Sequence, residues 1–320
     1  MLSNTDFSKK QIIVVFFNKG EKLSFQNDNI IIKNSDAKVI HQSTCYRLFA
    51  VFVVGNTTIT TGLIQRAKKF EFSIVLMTTS MRTYQILGAK KEGNTLLRAK
   101  QYSYSSLDIA KHIAKNKMLN QRTLLNTQRQ KCDELKQAIA AIDDYVLKID
   151  TSTSISDIMG YEGAASRVYF KNHFNNVVWK GRKPRIKCDM TNALLDIGYT
   201  LLFSFIEAML EVYGFELYIG VLHKAFYMRK SLVCDLVEPF RCLVDDCVKK
   251  GINLGQFKEK DFIVENLRYD LIWKKSPDYV SVLMQPLLDN KTEIFQYVQM
   301  YYRAFMKQLD ECEYPNFNYR

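Results

Sequence analysis

Proline is scarce in this chain, five in 320 residues, and none falls within the first 95. Strands in that region therefore meet few breakers. Histidine is scarcer still: His41, His112, His173 and His223 are the only four. The seven cysteines, at 45, 132, 188, 234, 242, 247 and 312, are odd in number, scattered and without a CxxC pair. Cys242 and Cys247 stand five apart, a poor zinc spacing. They read as reduced, mostly buried thiols of a cytoplasmic protein. Met1 to Lys10 lacks the apolar core of a secretory signal. The most apolar long stretch, Ala193 to His223, is interrupted by Asp196, Glu207, Glu211 and Glu216, so it reads as a buried helix and no membrane is expected. Also missing are GxxxxGK[ST], a GxGxxG after a strand, GxSxG and HExxH. Nucleotide-driven chemistry and the common hydrolase mechanisms lose their usual signatures.

What is present is positive charge. The 45 Lys and Arg outnumber 33 Asp and Glu, leaving +12 at pH 7 and a pI near 9.2. Such a balance suits a polyanionic partner, a membrane surface or a merely basic protein. With 47% hydrophobic and 24% charged residues, the chain can bury a sizeable core. Its length suggests two domains of about 100–200 residues each.

The first 95 residues read as strands. Runs at 11–17, 22–25, 29–33, 48–54, 59–64 and 73–77 are β-branched or aromatic and bounded by turn residues such as Asn18-Lys19-Gly20. They predict an antiparallel or mixed sheet domain. The character changes near Gly93-Asn94, where helical periodicity begins: Leu107, Ala110, Ile113 and Ala114 share one face. Residues 96–149 predict two or three helices with basic outer faces that include Lys100, Lys111, Lys115 and Lys117. Further helices are expected at 157–170, 189–213, 230–250 and 289–310, an irregular basic segment at 172–190, and a loose end from Cys312. The fold class is α+β: a β-rich domain at 1–95 followed by a larger all-α domain at 96–320.

Four side chains stand out chemically. Asp235 and Glu238 lie at i and i+3 beside an apolar face made by Leu232, Leu236 and Phe240. Two acids there are expensive unless a cation lies between them, and a divalent metal meets that need; an acidic first helical turn is the plainer account. Glu162 sits between Gly160 and Gly163, where small residues permit close approach by a partner helix or backbone, although a solvated glutamate fits equally. His223 precedes a turn-like segment and a helix. Lys180, Arg182, Lys183, Arg185 and Lys187 crowd one irregular stretch beside Phe174 and Trp179. Phosphate contact with occasional stacking is one reading, a solvated basic loop the other. Arg167, Arg229, Lys230 and Arg241 flank these four side chains and could hold phosphates, and Tyr169 and Tyr199 are candidates for core or for contact with a polyanion.

Five motifs then occur in order: Gly-x-Glu-Gly-Ala-Ala-x-x-x-Tyr-Phe at 160–170, Trp-x-Gly-Arg at 179–182, Asp-x-x-Asn-Ala-Leu-Leu-x-x-Gly-Tyr at 189–199, Gly-x-x-x-x-Ile-Gly-x-Leu-His at 214–223, and Ser-Leu-x-x-Asp-Leu-x-Glu-Pro-Phe-Arg at 231–241. Together they resemble the CRISPR-associated protein one family, the adaptation integrases, over nearly the whole chain. The resemblance implies a β domain for homodimerisation and a helical domain with one divalent-metal site. By motif match, Glu162, His223 and Glu238 would be the Mg²⁺ or Mn²⁺ ligands and Asp235 an assisting acid. Glutamate at 238 stands where relatives often have aspartate, and Leu217 where proline is common. A mixed carboxylate and imidazole set suits those metals. The resemblance also implies integration of double-stranded DNA fragments by a 3′-OH. Two dimers would bridge a dimer of the small CRISPR-associated protein two, so that two of four sites act. A catalytically silent DNA-binding scaffold and a structure-selective repair nuclease of the same fold are the alternatives.

Overall fold

A computed structural model describes residues 3–177 and 179–320. The chain divides into two compact units, Met1–Asn94 with Glu207–Phe215, and Thr95–Ile206 with Glu216–Arg320.

The first unit begins with α1 (Asn4–Ser8) and β1 (Gln11–Phe17), followed by β2 (Lys22–Gln26), β3 (Asn29–Lys33), β4 (Val39–Thr44) and β5 (Leu48–Gly55). After α2 (Thr61–Lys69) come β6 (Ser73–Met77) and β7 (Thr83–Gly88). One sheet has the order β1-β5-β6-β7; β1 and β6 both run parallel to β5, and β7 runs antiparallel to β6. The other is the antiparallel meander β2-β3-β4. Every residue of β5 is buried, as the uninterrupted apolar run Leu48–Val54 requires of a central parallel strand. Phe17, Leu23, Ile30, Val51, Leu63 and Ile74 join a single core shared by both sheets and α2.

Two strands escape the sequence pattern. β4 is polar and largely exposed, and β7 is partly so, as edge strands can be. The expected strand at 59–64 is instead the start of α2. Thr60 has extended backbone and its hydroxyl accepts the Leu63 N–H, which caps the helix.

The second unit contains α3 (Thr95–Ser103), α4 (Asp108–Asn126), α5 (Asp133–Asp150), α6 (Ile155–His173) and α7 (Met190–Tyr213, whose residues from Glu207 group with the first unit). It continues with α8 (Ser231–Val237), a 3₁₀ turn at Glu238–Phe240, α9 (Arg241–Asn253), the hairpin β8 (Phe262–Glu265) and β9 (Arg268–Leu271), α10 (Ser276–Asp289) and α11 (Lys291–Lys307). The predicted helix 230–250 is thus broken, because Pro239 has no N–H to extend the α8 ladder. The predicted helix at 289–310 corresponds to α11 alone, and α10 lies almost wholly outside the predicted helices. The β8–β9 hairpin is a small addition to the helical unit; Asn266 and Leu267 at its turn have φ of +51° and +60°. Val178, inside the segment expected to be irregular, lies outside the described residues, as do Met1 and Leu2 at the start of the stretch read for a signal.

α7 is long and apolar enough to cross a membrane, yet most of it is buried inside the protein. Of the cysteines, Cys45 and Cys242 are buried, Cys132 and Cys312 exposed, and the remaining three intermediate, so burial is less general than expected. The C-terminal segment is also not loose. Tyr314 and Phe317 are buried, and Asn116 clasps Phe317 by donating to its carbonyl at 2.8 Å and accepting its N–H at 3.0 Å.

Candidate active site

α4 packs against α6 and against the 3₁₀ turn. From its face Lys117 reaches both neighbours: its ammonium pairs with Glu162 Oε1 of α6 and, at 2.5 Å, with Glu238 Oε2 of the turn. Lys117 is 8% exposed, which corrects its assignment to an outer basic face. It lies seven residues after Ala110 and four after Ile113, on the same buried stripe. Burial works against its charge, but Glu162 and Glu238 more than offset this and raise its pKa.

Glu162 has a second brace. Ser166, one turn on, donates to Glu162 Oε1 at 2.8 Å, and Gln121 of α4 donates to Ser166 Oγ at 3.3 Å. α6 is started by Ser154, whose hydroxyl accepts the Asp157 N–H. The glycines beside Glu162 have no close neighbour: the space that a Cβ would take at Gly160 or Gly163 is open.

Asp235 is fully buried and faces a different set of partners from Glu238. Its Oδ2 accepts the backbone N–H groups of Val221 (2.6 Å) and Leu222 (3.1 Å), and its Oδ1 that of His223 (2.9 Å). The same Oδ1 lies 2.6 Å from His223 Nδ1. A carboxylate there takes the Nδ1–H and leaves the lone pair on Nε2, which no described residue engages. Gly220 makes this possible, since a Cβ would stand 2.5 Å from Asp235 Oδ2. The expectation of one cation between Asp235 and Glu238 is therefore corrected. Backbone donors and an imidazole serve Asp235, whereas Lys117 and Arg241 serve Glu238.

Arg241 Nε pairs with Glu238 Oε2 at 2.9 Å, and its guanidinium lies 4.6 Å from the Tyr199 ring centroid. Burial would raise the Glu238 pKa, but Arg241, then Lys117 and His223, hold it down at about 2. Behind Arg241, Tyr199 donates to Asp245 Oδ1 and Tyr169 donates to Asp245 Oδ2 at 3.0 Å. Burial pushes Asp245 up to about 6, with the two tyrosine hydrogen bonds acting against it. Tyr169 and Tyr199 thus belong to an interior network that sequence spacing alone did not reveal.

The basic candidates separate into two groups. Arg167, Lys180, Lys183 and Arg185 are exposed. Arg182 is turned inward, donating to Asp196 Oδ1 at 2.7 Å and Asn192 Oδ1 at 3.1 Å. Lys187 pairs with Asp270 at 3.2 Å. Arg229 folds back onto the Lys224 carbonyl and the Ser231 hydroxyl, and Lys230 is the residue preceding α8. Phe174 is buried rather than a flat outer surface, and Trp179 packs on it with ring centroids 4.9 Å apart.

Among the described residues no three His, Cys, Asp or Glu side chains form a ready metal cluster. The donor chemistry nevertheless fits a divalent ion. Two carboxylates converge on one cation's position, now filled by the Lys117 ammonium, and His223 lies near enough to influence Glu238 with Nε2 open.

Comparison with known proteins identifies the family. The family model described as CRISPR associated protein Cas1 matches residues 14–275. A relative named CRISPR-associated endonuclease Cas1 1, from Thermodesulfovibrio yellowstonii, is 32% identical over 243 residues, which cover 71% of this chain and 75% of the relative. Among solved structures, a Cas6-RT-Cas1–Cas2 complex matches with TM-score 0.81 at 23% identity, over 98% of this chain and 36% of that much longer one. A casposase bound to integration product matches with TM-score 0.79 at 20% identity, over 96% of this chain and 94% of the casposase. These two share the fold, while the extent of the family match settles kinship: the chain belongs to the CRISPR-associated Cas1 family.

Proposed function

We propose that this chain is a metal-dependent DNA integrase and endonuclease of CRISPR adaptation. The 3′-OH of a double-stranded DNA fragment attacks a phosphodiester of the CRISPR repeat in a direct transesterification. A new P–O bond joins fragment to repeat as the old P–O3′ bond breaks, and the departing oxygen becomes the 3′-OH of the cut repeat strand. The observation that carries the proposal is the convergence of Glu162 and Glu238 on one cation position, beside a histidine oriented by a buried carboxylate. The relative named as an endonuclease and the likeness to a casposase bound to its integration product support it.

Glu162, Glu238 and Nε2 of His223 would hold Mg²⁺ or Mn²⁺. When bound, such an ion polarises a phosphodiester oxygen and favours the deprotonated hydroxyl. Asp235 fixes the His223 tautomer and ring orientation, Ser166 and Gln121 hold Glu162 in place, and Arg241 aligns Glu238. The exposed Arg167, Lys180, Lys183 and Arg185 neutralise phosphates along the approaching strands. Transesterification conserves the phosphodiester energy, so no nucleotide is consumed, in keeping with the missing P-loop. The β-rich unit would form the homodimer, and two dimers would flank a dimer of the small Cas2 protein.

The test is strand transfer. The purified chain, with and without Cas2, is mixed with a short duplex and a supercoiled plasmid carrying a repeat, in Mg²⁺, Mn²⁺ or EDTA. Metal-dependent joining that disappears in His223→Ala is expected. Nicking without joining in the presence of Cas2 points to a repair-type nuclease, and binding with neither to a silent scaffold.

A further inference from the structure

α4 buries Ala110, Ile113, Ala114, Leu124 and Leu125 on the stripe that carries Lys117. A lysine in such a stripe is unfavourable unless its ammonium meets anions. Here it meets two, on separate elements: Glu162 from α6 and Glu238 from the 3₁₀ turn. With Arg241 also on Glu238, the four charges balance, two positive and two negative. A divalent ion added to that balanced set leaves it strongly positive, with the new ion against an ammonium at contact distance. Removing the ammonium reverses this: Glu162 and Glu238 then exceed Arg241 and attract a cation.

We propose that Lys117 is the tethered counter-cation of the metal centre. Its ammonium fills the point where the two carboxylates converge, holds them together while no divalent ion is bound, and has to withdraw for one to bind. Lys117 thereby sets the affinity of the centre for metal. A lysine suits the task, being a compact charge on a flexible four-carbon stem with no bidentate fork to break. The inference rests on the reading of Glu162, His223 and Glu238 as metal ligands, and its test separates the two.

Mn²⁺ is titrated calorimetrically into the unaltered chain and into His223→Ala, Lys117→Met and Lys117→Arg. Loss of affinity of tenfold or more in His223→Ala is expected and locates the bound ion; no change there overturns the ligand assignment itself. Lys117→Met is expected to bind Mn²⁺ about tenfold more tightly than the unaltered chain. Lys117→Arg, which keeps the charge, is expected to match the unaltered chain or bind more weakly. Unchanged or weaker binding in Lys117→Met, with the His223→Ala loss intact, overturns the counter-cation proposal alone.

Lys117→Met leaves the half-buried Glu162 facing the buried Glu238, so a second measurement uses the unaltered protein. Reductive methylation followed by peptide mass spectrometry reports the accessibility of each lysine. In EDTA, Lys117 is expected to be protected by its ion pairs. At saturating Mg²⁺ it is expected to react several-fold faster, while exposed Lys136 serves as the unchanged reference. Equal protection of Lys117 with and without Mg²⁺ overturns the proposal.

Discussion

Asp235 and His223 are joined twice: the same Oδ1 takes the histidine's own backbone N–H at 2.9 Å and faces its ring Nδ1 at 2.6 Å. The carboxylate therefore fixes both where the residue starts and which way its ring turns. Asp235→Asn retains the shape but presents an amide, which can face Nδ1 with its NH₂ and favour the wrong tautomer. Mn²⁺ affinity is expected to fall about 10–100-fold, the usual effect of losing such an outer partner. Calorimetric titration checks it, and undiminished affinity would remove Asp235 from the positioning role.

Glu238 and His223 should behave differently on truncation, although both are proposed ligands. The Glu238 side chain is 5% exposed and joins Lys117 to Arg241, whereas that of His223 is 21% exposed. Glu238→Ala leaves the buried Lys117 with Glu162 alone and takes the acid from the half-buried Arg241, and is expected to lower stability by up to about 3 kcal/mol. His223→Ala is expected to abolish strand transfer at little cost to folding. Urea unfolding of both variants in EDTA checks this contrast; equal midpoints would contradict the ion-pair account.

Asp245, held by Tyr199 and Tyr169 behind Arg241, predicts a pH dependence of stability. Its pKa is raised from 3.8 to about 6 in the fold, chiefly by burial. An acid with a raised folded-state pKa favours folding while protonated. Its contribution is present in full below the unfolded value near 3.8 and is lost as pH rises through about 6. A shift of this size amounts to roughly 3 kcal/mol. Asp245→Asn cannot ionise, so its stability relative to the unaltered chain should improve by about that amount between pH 3.8 and pH 6. Unfolding measured at several pH values checks it, and a constant difference would place the Asp245 pKa near its ordinary value.

Asn120 links the C-terminal segment to the turn that carries Glu238. Its amide donates to the carbonyls of Pro239 (3.0 Å) and Phe317 (2.8 Å), and its carbonyl accepts the Tyr319 N–H (2.9 Å). Phe317 in turn packs on Phe240 at 4.7 Å between ring centroids. Asn120→Ala leaves these groups unsatisfied and is expected to lower stability by about 2–3 kcal/mol. Because Pro239 follows Glu238, strand transfer should also fall. Thermal unfolding and strand transfer measured together check this, and a stable, fully active variant would mean that the segment does not support the site.

Legibility from sequence followed the type of force involved. The apolar run of β5 and the long periodic stretches of α4 to α7 announce themselves through burial, which acts locally and repeats. β4 was invisible because an exposed edge strand needs no apolar alternation, and α2 because its Thr60 cap follows a β-branched run that mimics a strand. At the site, Asp235 and Glu238 stand out by their spacing, whereas Glu162 and His223 are marked only by the match to the family motifs. Their partners lie far away in sequence: Lys117 is 45 residues from Glu162. The signal for Lys117 is its place on an apolar helical stripe, which sets it apart from the half-buried lysines of the same helix. Arg182 was misleading for the opposite reason, since a basic cluster does not reveal which member Asp196 and Asn192 turn inward.

That division within the basic stretch yields a last prediction. Lys183 and Arg185 are exposed, whereas Arg182 is held by Asp196 and Asn192 and lies 5.2 Å from the Tyr199 ring centroid. Only the first two are free to displace counterions from a phosphate backbone. Lys183→Ala with Arg185→Ala should weaken DNA binding without regard to sequence and reduce the slope of log affinity against log salt by about 2. Arg182→Ala should leave that slope unchanged but lower thermal stability, because it strands Asp196 and removes a cation from the Tyr199 ring. Binding isotherms at several salt concentrations, paired with thermal melts, separate the two. A reduced slope in Arg182→Ala would mean that its guanidinium leaves Asp196 to meet DNA, and the inward ion pair would then be a resting contact.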